Sequence, residues 1–133
     1  MLYGIGCDLC EIARLRRTLE SAHGAHFFAR VYGPAEQAAL GPSGAIGAQA
    51  AESAAADFAA KEAFLKAAGV GLGGFALAEI EAVRLPSGRP EYRLCGQAAA
   101  WMAENGLAAH LSLSHEGGMA LAFCVLEKTG ADA

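Results

Sequence analysis

One stretch constrains this chain more than any other: Phe58-Ala59-Ala60-Lys61-Glu62-Ala63-Phe64-Leu65-Lys66-Ala67-Ala68-Gly69-Val70-Gly71-Leu72. It reads as an apolar helix that carries three charges and then stops in a glycine-rich loop. Glu62 and Lys66 are spaced i, i+4, so both project from one face. Lys61 precedes Glu62 by one residue, about 100° round the axis. Charges this close together on an Ala/Phe/Leu helix need either solvent or a charged ligand. A second carboxylate, Asp8, ends an apolar run near the N-terminus. Together these groups point to a site that handles a metal and a phosphate.

A chain of 133 residues is most simply one domain, long enough to bury roughly two thirds of its unfolded surface. Its 54% hydrophobic content against 18% charged fits burial in an oligomer, although abundant alanine is a plainer cause. No run of about 18 apolar residues offers a membrane span. Met1-Leu2-Tyr3-Gly4 has no basic segment ahead of an apolar one, so we expect no signal peptide and a cytoplasmic protein. The net charge of −4 argues against a general nucleic-acid binder. Arg14, Arg16 and Arg17 nevertheless cluster in the first helix. They form either a docking patch for an acidic partner or a merely solvated face.

Cys7 and Cys10 make a C-x-x-C, which invites a redox or zinc reading. If residues 3–9 form a strand, positions an odd number apart face opposite sides and the two sulfurs diverge. No second pair or His-x-x-x-His completes a zinc site. Cys95 and Cys124 lie in apolar stretches and read as reduced core residues.

The pattern predicts an α+β fold in the order β-α-α-α-β-β-α-β-β. Residues 2–8 form a buried strand. Residues 11–22 form a helix, with Ile12, Leu15 and Leu19 at helical spacing and Gly24 as its stop. Pro34 opens a short helix through Leu40. Residues 41–56, nearly all Gly, Ala, Ser and Pro, read as a flexible loop that turns helical on entering the main helix, 53–68. Residues 77–85 and 91–94 flank Pro86-Ser87-Gly88-Arg89-Pro90 as a hairpin. A helix over 98–104, a strand over 110–114, a turn at 115–118 and a strand over 119–126 follow, with residues 128–133 as a frayed tail.

For chemistry, Asp8 and Glu62 make a hard-cation pair. Magnesium takes one or two protein carboxylates and leaves its other positions to water and substrate phosphate. Lys66 could neutralise a phosphate leaving group, and Gly69, Gly71, Gly73 and Gly74 would let backbone approach an anion. Against this stands an ordinary surface pair between Glu62 and Lys66, worth roughly 0.3–0.5 kcal/mol. His115 opens a glycine turn after Ser112-Leu113-Ser114 and could hold a phosphate or only satisfy the turn. No Gly-x-Ser-x-Gly, Walker loop or dinucleotide fingerprint occurs.

Four motifs in order resemble the holo-acyl-carrier-protein synthases, the short trimeric class of 4′-phosphopantetheinyl transferases. They are Gly4-Ile5-Gly6-Cys7-Asp8-Leu9-Cys10-Glu11-Ile12-Ala13-Arg14, the 58–66 helix with its glycines, Ser87-Gly88-Arg89-Pro90, and Leu113-Ser114-His115. The resemblance implies transfer of the phosphopantetheine group from coenzyme A, as co-substrate, to a serine of apo-acyl carrier protein, releasing adenosine 3′,5′-bisphosphate. It implies that Asp8 and Glu62 ligate Mg2+, that Glu62 accepts the serine proton directly or through a bound water, and that Lys66 assists the departing phosphate. Lys61, Gly69 and Gly71 would join the coenzyme A site. Ser87, Gly88, Arg89, Pro90, Ser114 and His115 would contact the nucleotide from the neighbouring chain of a homotrimer. Arg14, with Arg16 and Arg17 nearby, would dock the acidic carrier, whether of fatty-acid or polyketide synthesis. Asp57, where the family commonly has a basic residue, Val70 in place of a threonine, and Glu116-Gly117-Gly118 after His115 depart from the pattern. They bear on affinity and carrier choice more than on reaction type. The rival reading is a non-catalytic module of the same fold that grips coenzyme A or a carrier; such a binder would not need Asp8, Glu62 and Lys66 together.

Overall fold

The computed structural model describes residues 1–42, 46–71 and 73–130. Its elements run β1 (Leu2–Glu11), α1 (Ile12–Glu20), α2 (Gly24–Val31), α3 (Pro34–Leu40), α4 (Ala48–Ala68), a short 3-10 turn (Leu77–Glu79), β2 (Ile80–Arg84), β3 (Pro90–Leu94), α5 (Gly96–Glu104), β4 (Leu107–Glu116) and β5 (Met119–Lys128). The class is α+β, as expected, with one α-helix more among the described residues than the pattern predicts. Strands β1, β5 and β4 form an antiparallel sheet in that order, and β2–β3 make a separate hairpin.

Helix α4 is the axis of the molecule. Thirteen of its 21 residues are buried, mostly alanines, which let neighbouring backbones come close. One side meets Ile80, Ala82, Ala98, Met102, Ala122, Cys124 and Leu126. The other meets Leu15 and Leu19 of α1, Phe28 and Val31 of α2, and Leu40 at the end of α3. A helix with apolar contacts all round has no amphipathic stripe, which is why its outward charges carry the information. Gly69 ends it at φ 76°, donating its N–H to the carbonyls of Leu65 and Lys66, a left-handed C-cap that favours glycine.

Strand β1 lies directly on α4. A Cβ at Gly6 would stand 2.0 Å from the Ala63 carbonyl oxygen, and both partners are backbone held in regular elements. Gly6→Ala is therefore expected to lose about 1–3 kcal/mol through overpacking. An unchanged thermal melting curve would contradict it.

Several boundaries move. Gly24 does not stop α1, which ends at Glu20 with Ser21 as its cap; it starts α2, where a Cβ would meet the Leu19 carbonyl oxygen at 1.9 Å. Close packing of two helix ends, a non-local cause, explains that glycine. The supposed loop 41–56 is helical from Ala48, and its residues 43–45 lie outside the described residues. Alanine's high helix propensity outweighs the loop-like composition there. The supposed tail begins inside β5: the Lys128 N–H donates to the Met1 carbonyl at 2.8 Å. Residues 131–133 lie outside the described residues. Cys95 is exposed rather than core, whereas Cys124 is buried, and all four thiols are free. Among the described residues no helix is long and apolar enough to cross a membrane.

Candidate active site

Alternation along β1 sends Gly4, Gly6, Asp8 and Cys10 toward α4 and leaves Tyr3, Ile5, Cys7 and Leu9 on the outer face. The two glycines bring the strand so near the helix that Asp8 reaches its outward charges. Lys66 Nζ lies 3.0 Å from Asp8 Oδ1 and donates also to the Cys7 carbonyl at 2.9 Å. Glu62, one turn back, is half-buried. Its carboxyl is raised above the usual range, first by partial burial and then by the charge of Asp8, with Lys66 opposing. The structure thus brings Asp8, Glu62 and Lys66 into one electrostatic group.

A carboxyl raised partly by the charge of a second carboxylate, as Glu62 is by Asp8, is the setting a dication relieves. Among the described residues no cluster of three or more His, Cys, Asp or Glu side chains forms a fuller cage. A donor set of two carboxylates suits magnesium, which relies on water and phosphate for the rest. Asp8 and Glu62 are the residues that could hold it.

Lys61 is corrected. It is fully buried, with Nζ 2.5 Å from Glu36 Oε1 and donating to the carbonyls of Leu77 at 3.1 Å and Ile80 at 2.7 Å. Glu36 also accepts from the N–H groups of Gly33 and Ala82, and its own N–H donates to Glu81. Lys61 ties α3, α4 and β2 together and has no face left for a ligand. One step of 100° separates it from Glu62, and that step takes it from the site into the core.

A second cavity, of about 280 Å³, is lined by Gly88 and Pro90 of the β2–β3 hairpin and by Ser114 and His115 of β4. Two separately predicted segments therefore meet within one chain. Ser87 and Arg89 sit in the exposed turn beside it, and Arg89 N–H donates to Ser87 Oγ. His115 Nδ1 lies 3.6 Å from Glu52. Two charged residues that the motifs did not assign join the wall: Glu52 of α4 and Arg84 at the end of β2. Arg84 pairs with Asp57, whose carboxyl is pushed up to about 7 because burial outweighs the guanidinium.

Gly69 and Gly71 are exposed beyond Lys66, both at positive φ, so turn geometry accounts for glycine there. Arg14 is exposed on α1. Arg16 and Arg17 engage Glu20 and Glu11 at 3.4 and 3.6 Å.

Known proteins resemble this chain in sequence and in fold. The 4′-phosphopantetheinyl transferase superfamily matches residues 4–124. A holo-[acyl-carrier-protein] synthase of Methylobacterium radiotolerans is 47% identical over 133 aligned residues, covering 96% of this chain and 94% of that protein. The crystal structure of the Neisseria meningitidis synthase superposes with a TM-score of 0.81 at 35% identity, covering 96% of this chain and 100% of that one. The Bacillus anthracis synthase, solved in complex with CoA (3′,5′-ADP), gives 0.78 at 31% identity, covering 97% and 99%. By sequence over nearly its whole length, and by fold, this chain belongs to the holo-[acyl-carrier-protein] synthase family of 4′-phosphopantetheinyl transferases.

Proposed function

We propose that this chain transfers the 4′-phosphopantetheine arm of coenzyme A to a serine hydroxyl of apo-acyl carrier protein, releasing adenosine 3′,5′-bisphosphate. The observation that carries the reading is the convergence of Asp8, Glu62 and Lys66 where β1 meets α4.

Asp8 and Glu62 would hold a magnesium ion, which when bound supplies charge neutralisation at the pyrophosphate. The chain's own groups do the rest. Glu62, with its raised proton affinity, is suited to receive the serine proton, since a base works best when its pKa approaches the working pH. Lys66 presents an ammonium held by Asp8 and the Cys7 carbonyl, suited to the charge that develops on the departing phosphate. Positioning and fixed charge dominate such transfers. Arg14, exposed on α1, is the foremost candidate contact for an acidic carrier, acting on encounter rate and weakening with salt.

A homotrimer is part of the proposal. The sheet face away from α4 carries Ile5, Leu9 and Phe123 at 58, 60 and 40% exposure, a contiguous apolar surface of the kind that marks an interface.

The test incubates the pure protein with coenzyme A, magnesium and apo-acyl carrier protein and weighs the carrier by mass spectrometry. Sedimentation of the same sample reads the assembly. A gain of one phosphopantetheine unit, dependent on magnesium, is the expected result. Coenzyme A binding without any gain across several carriers would instead favour a non-catalytic module.

A further inference from the structure

Arg84 is a cation in the second cavity that no motif assigns. It closes β2 and stands in one wall with Gly88, Pro90, Ser114 and His115. It also borders a neighbouring cavity of about 840 Å³ that Arg93 and Asp57 line as well. Its side chain is about one-third exposed, while that of its partner Asp57 is almost wholly buried. Only Nη1 is engaged, by Asp57 Oδ1 and, at 3.4 Å, by the Ala82 carbonyl. Among the described residues Nε and Nη2 make no hydrogen bond. A guanidinium anchored on one side by a buried carboxylate, with donors left on the other, has the planar fork that matches phosphate.

The other charged groups facing this space are Glu52, His115 and Arg93. Glu52 lies beside His115 and, among the described residues, forms no ion pair with Arg84, whose acidic partner is Asp57. Asp57 precedes Glu62 by five residues and Lys66 by nine. That is about 7.5 and 13.5 Å along α4 at 1.5 Å per residue, so Arg84 is not a further member of the Asp8–Glu62–Lys66 group. It calls for a second anion in the ligand, apart from the pyrophosphate. Coenzyme A has one, on the ribose 3′ position, and the adenosine 3′,5′-bisphosphate half retains it.

We propose that Arg84 holds the 3′-phosphate of the coenzyme A nucleotide, and that Asp57 is the positioning residue that orients it. The proposal rests on coenzyme A being the co-substrate. It also gives Asp57 a purpose: from α4 it aims the guanidinium that β2 supplies.

The test is steady-state kinetics of the full chain on coenzyme A and on 3′-dephospho-coenzyme A, with Arg84→Gln, Arg84→Lys, Asp57→Asn and the double variant Asp57→Asn/Arg84→Gln. Arg84→Gln should raise KM for coenzyme A about ten- to a hundredfold, the range for a charge-assisted hydrogen bond, with kcat nearly unchanged. On the dephospho substrate the variant and the parent should have equal KM. Arg84→Lys should recover part of the loss, and Asp57→Asn should raise KM severalfold on coenzyme A alone. The double variant leaves no unpaired buried charge, so it keeps the comparison interpretable if a single variant folds poorly. Equal effects on both substrates, or no change in KM, would overturn the assignment while leaving the transferase reading intact. A parent chain that neither binds nor turns over coenzyme A would overturn both.

Discussion

Lys61→Ala is expected to cost about 3–5 kcal/mol of stability, because it strands a buried charge. Lys61 sits at 0% exposure between Glu36 and two backbone carbonyls, with the Tyr32 ring 5.5 Å from its Nζ. Burial lowers the lysine's proton affinity and raises that of Glu36, while each partner opposes the shift in the other. Without the ammonium, Glu36 keeps two backbone donors but has no counter-charge. Small domains have only about 5–15 kcal/mol in total, so the variant should be largely unfolded at moderate urea. Lys61→Met with Glu36→Gln, which removes both charges and keeps much of the volume, should be far milder. Urea denaturation of the three proteins checks this. A loss under about 1 kcal/mol in Lys61→Ala would show that water reaches the site and solvates Glu36.

Glu62→Gln should lower kcat by about 10²–10⁴-fold, the contribution typical of a positioned general base. The substitution keeps shape and removes one of two carboxylates. It also relieves the repulsion from Asp8 that helps hold the Glu62 carboxyl above its ordinary range, so the melting temperature should stay the same or rise slightly. Turnover at saturating coenzyme A, followed by carrier mass and repeated across magnesium concentrations, separates the roles. A loss that high magnesium reverses would mark Glu62 as a ligand alone. A loss that persists would mark it as the proton acceptor as well. Unchanged turnover would remove Glu62 from the site.

The contrast between these neighbours locates the boundary between local and non-local information. Glu62, Lys66, the glycine stop at Gly69, the β2–β3 hairpin and the alternation of β4 were legible because each depends on residues a few places apart. Asp8 was legible as an acid in an apolar strand, although β1 runs on to Glu11 and does not end there. Its pairing with Lys66, 58 residues away, depends on Gly4 and Gly6 admitting α4, and no local pattern carries that distance. Helix α2 was missed because Gly24 looks like a terminator until the end of α1 is seen against it. Cys95 looked internal because its neighbours are apolar, yet it precedes α5 on the surface.

The sequence by itself determined the α+β class, the charged helix, the two carboxylates and the segments around Gly88 and His115. Helical and strand periodicity, turn chemistry and motif order are all written in neighbouring residues. Tertiary structure alone decided which charges are buried in the core and which gather where β1 meets α4. It buried Lys61 against Glu36, set Asp57 against Arg84 and left Lys66 beside Asp8. The physical reason is that a side chain's free energy depends on desolvation and on partners brought from distant parts of the chain, and those partners exist only once the chain has folded.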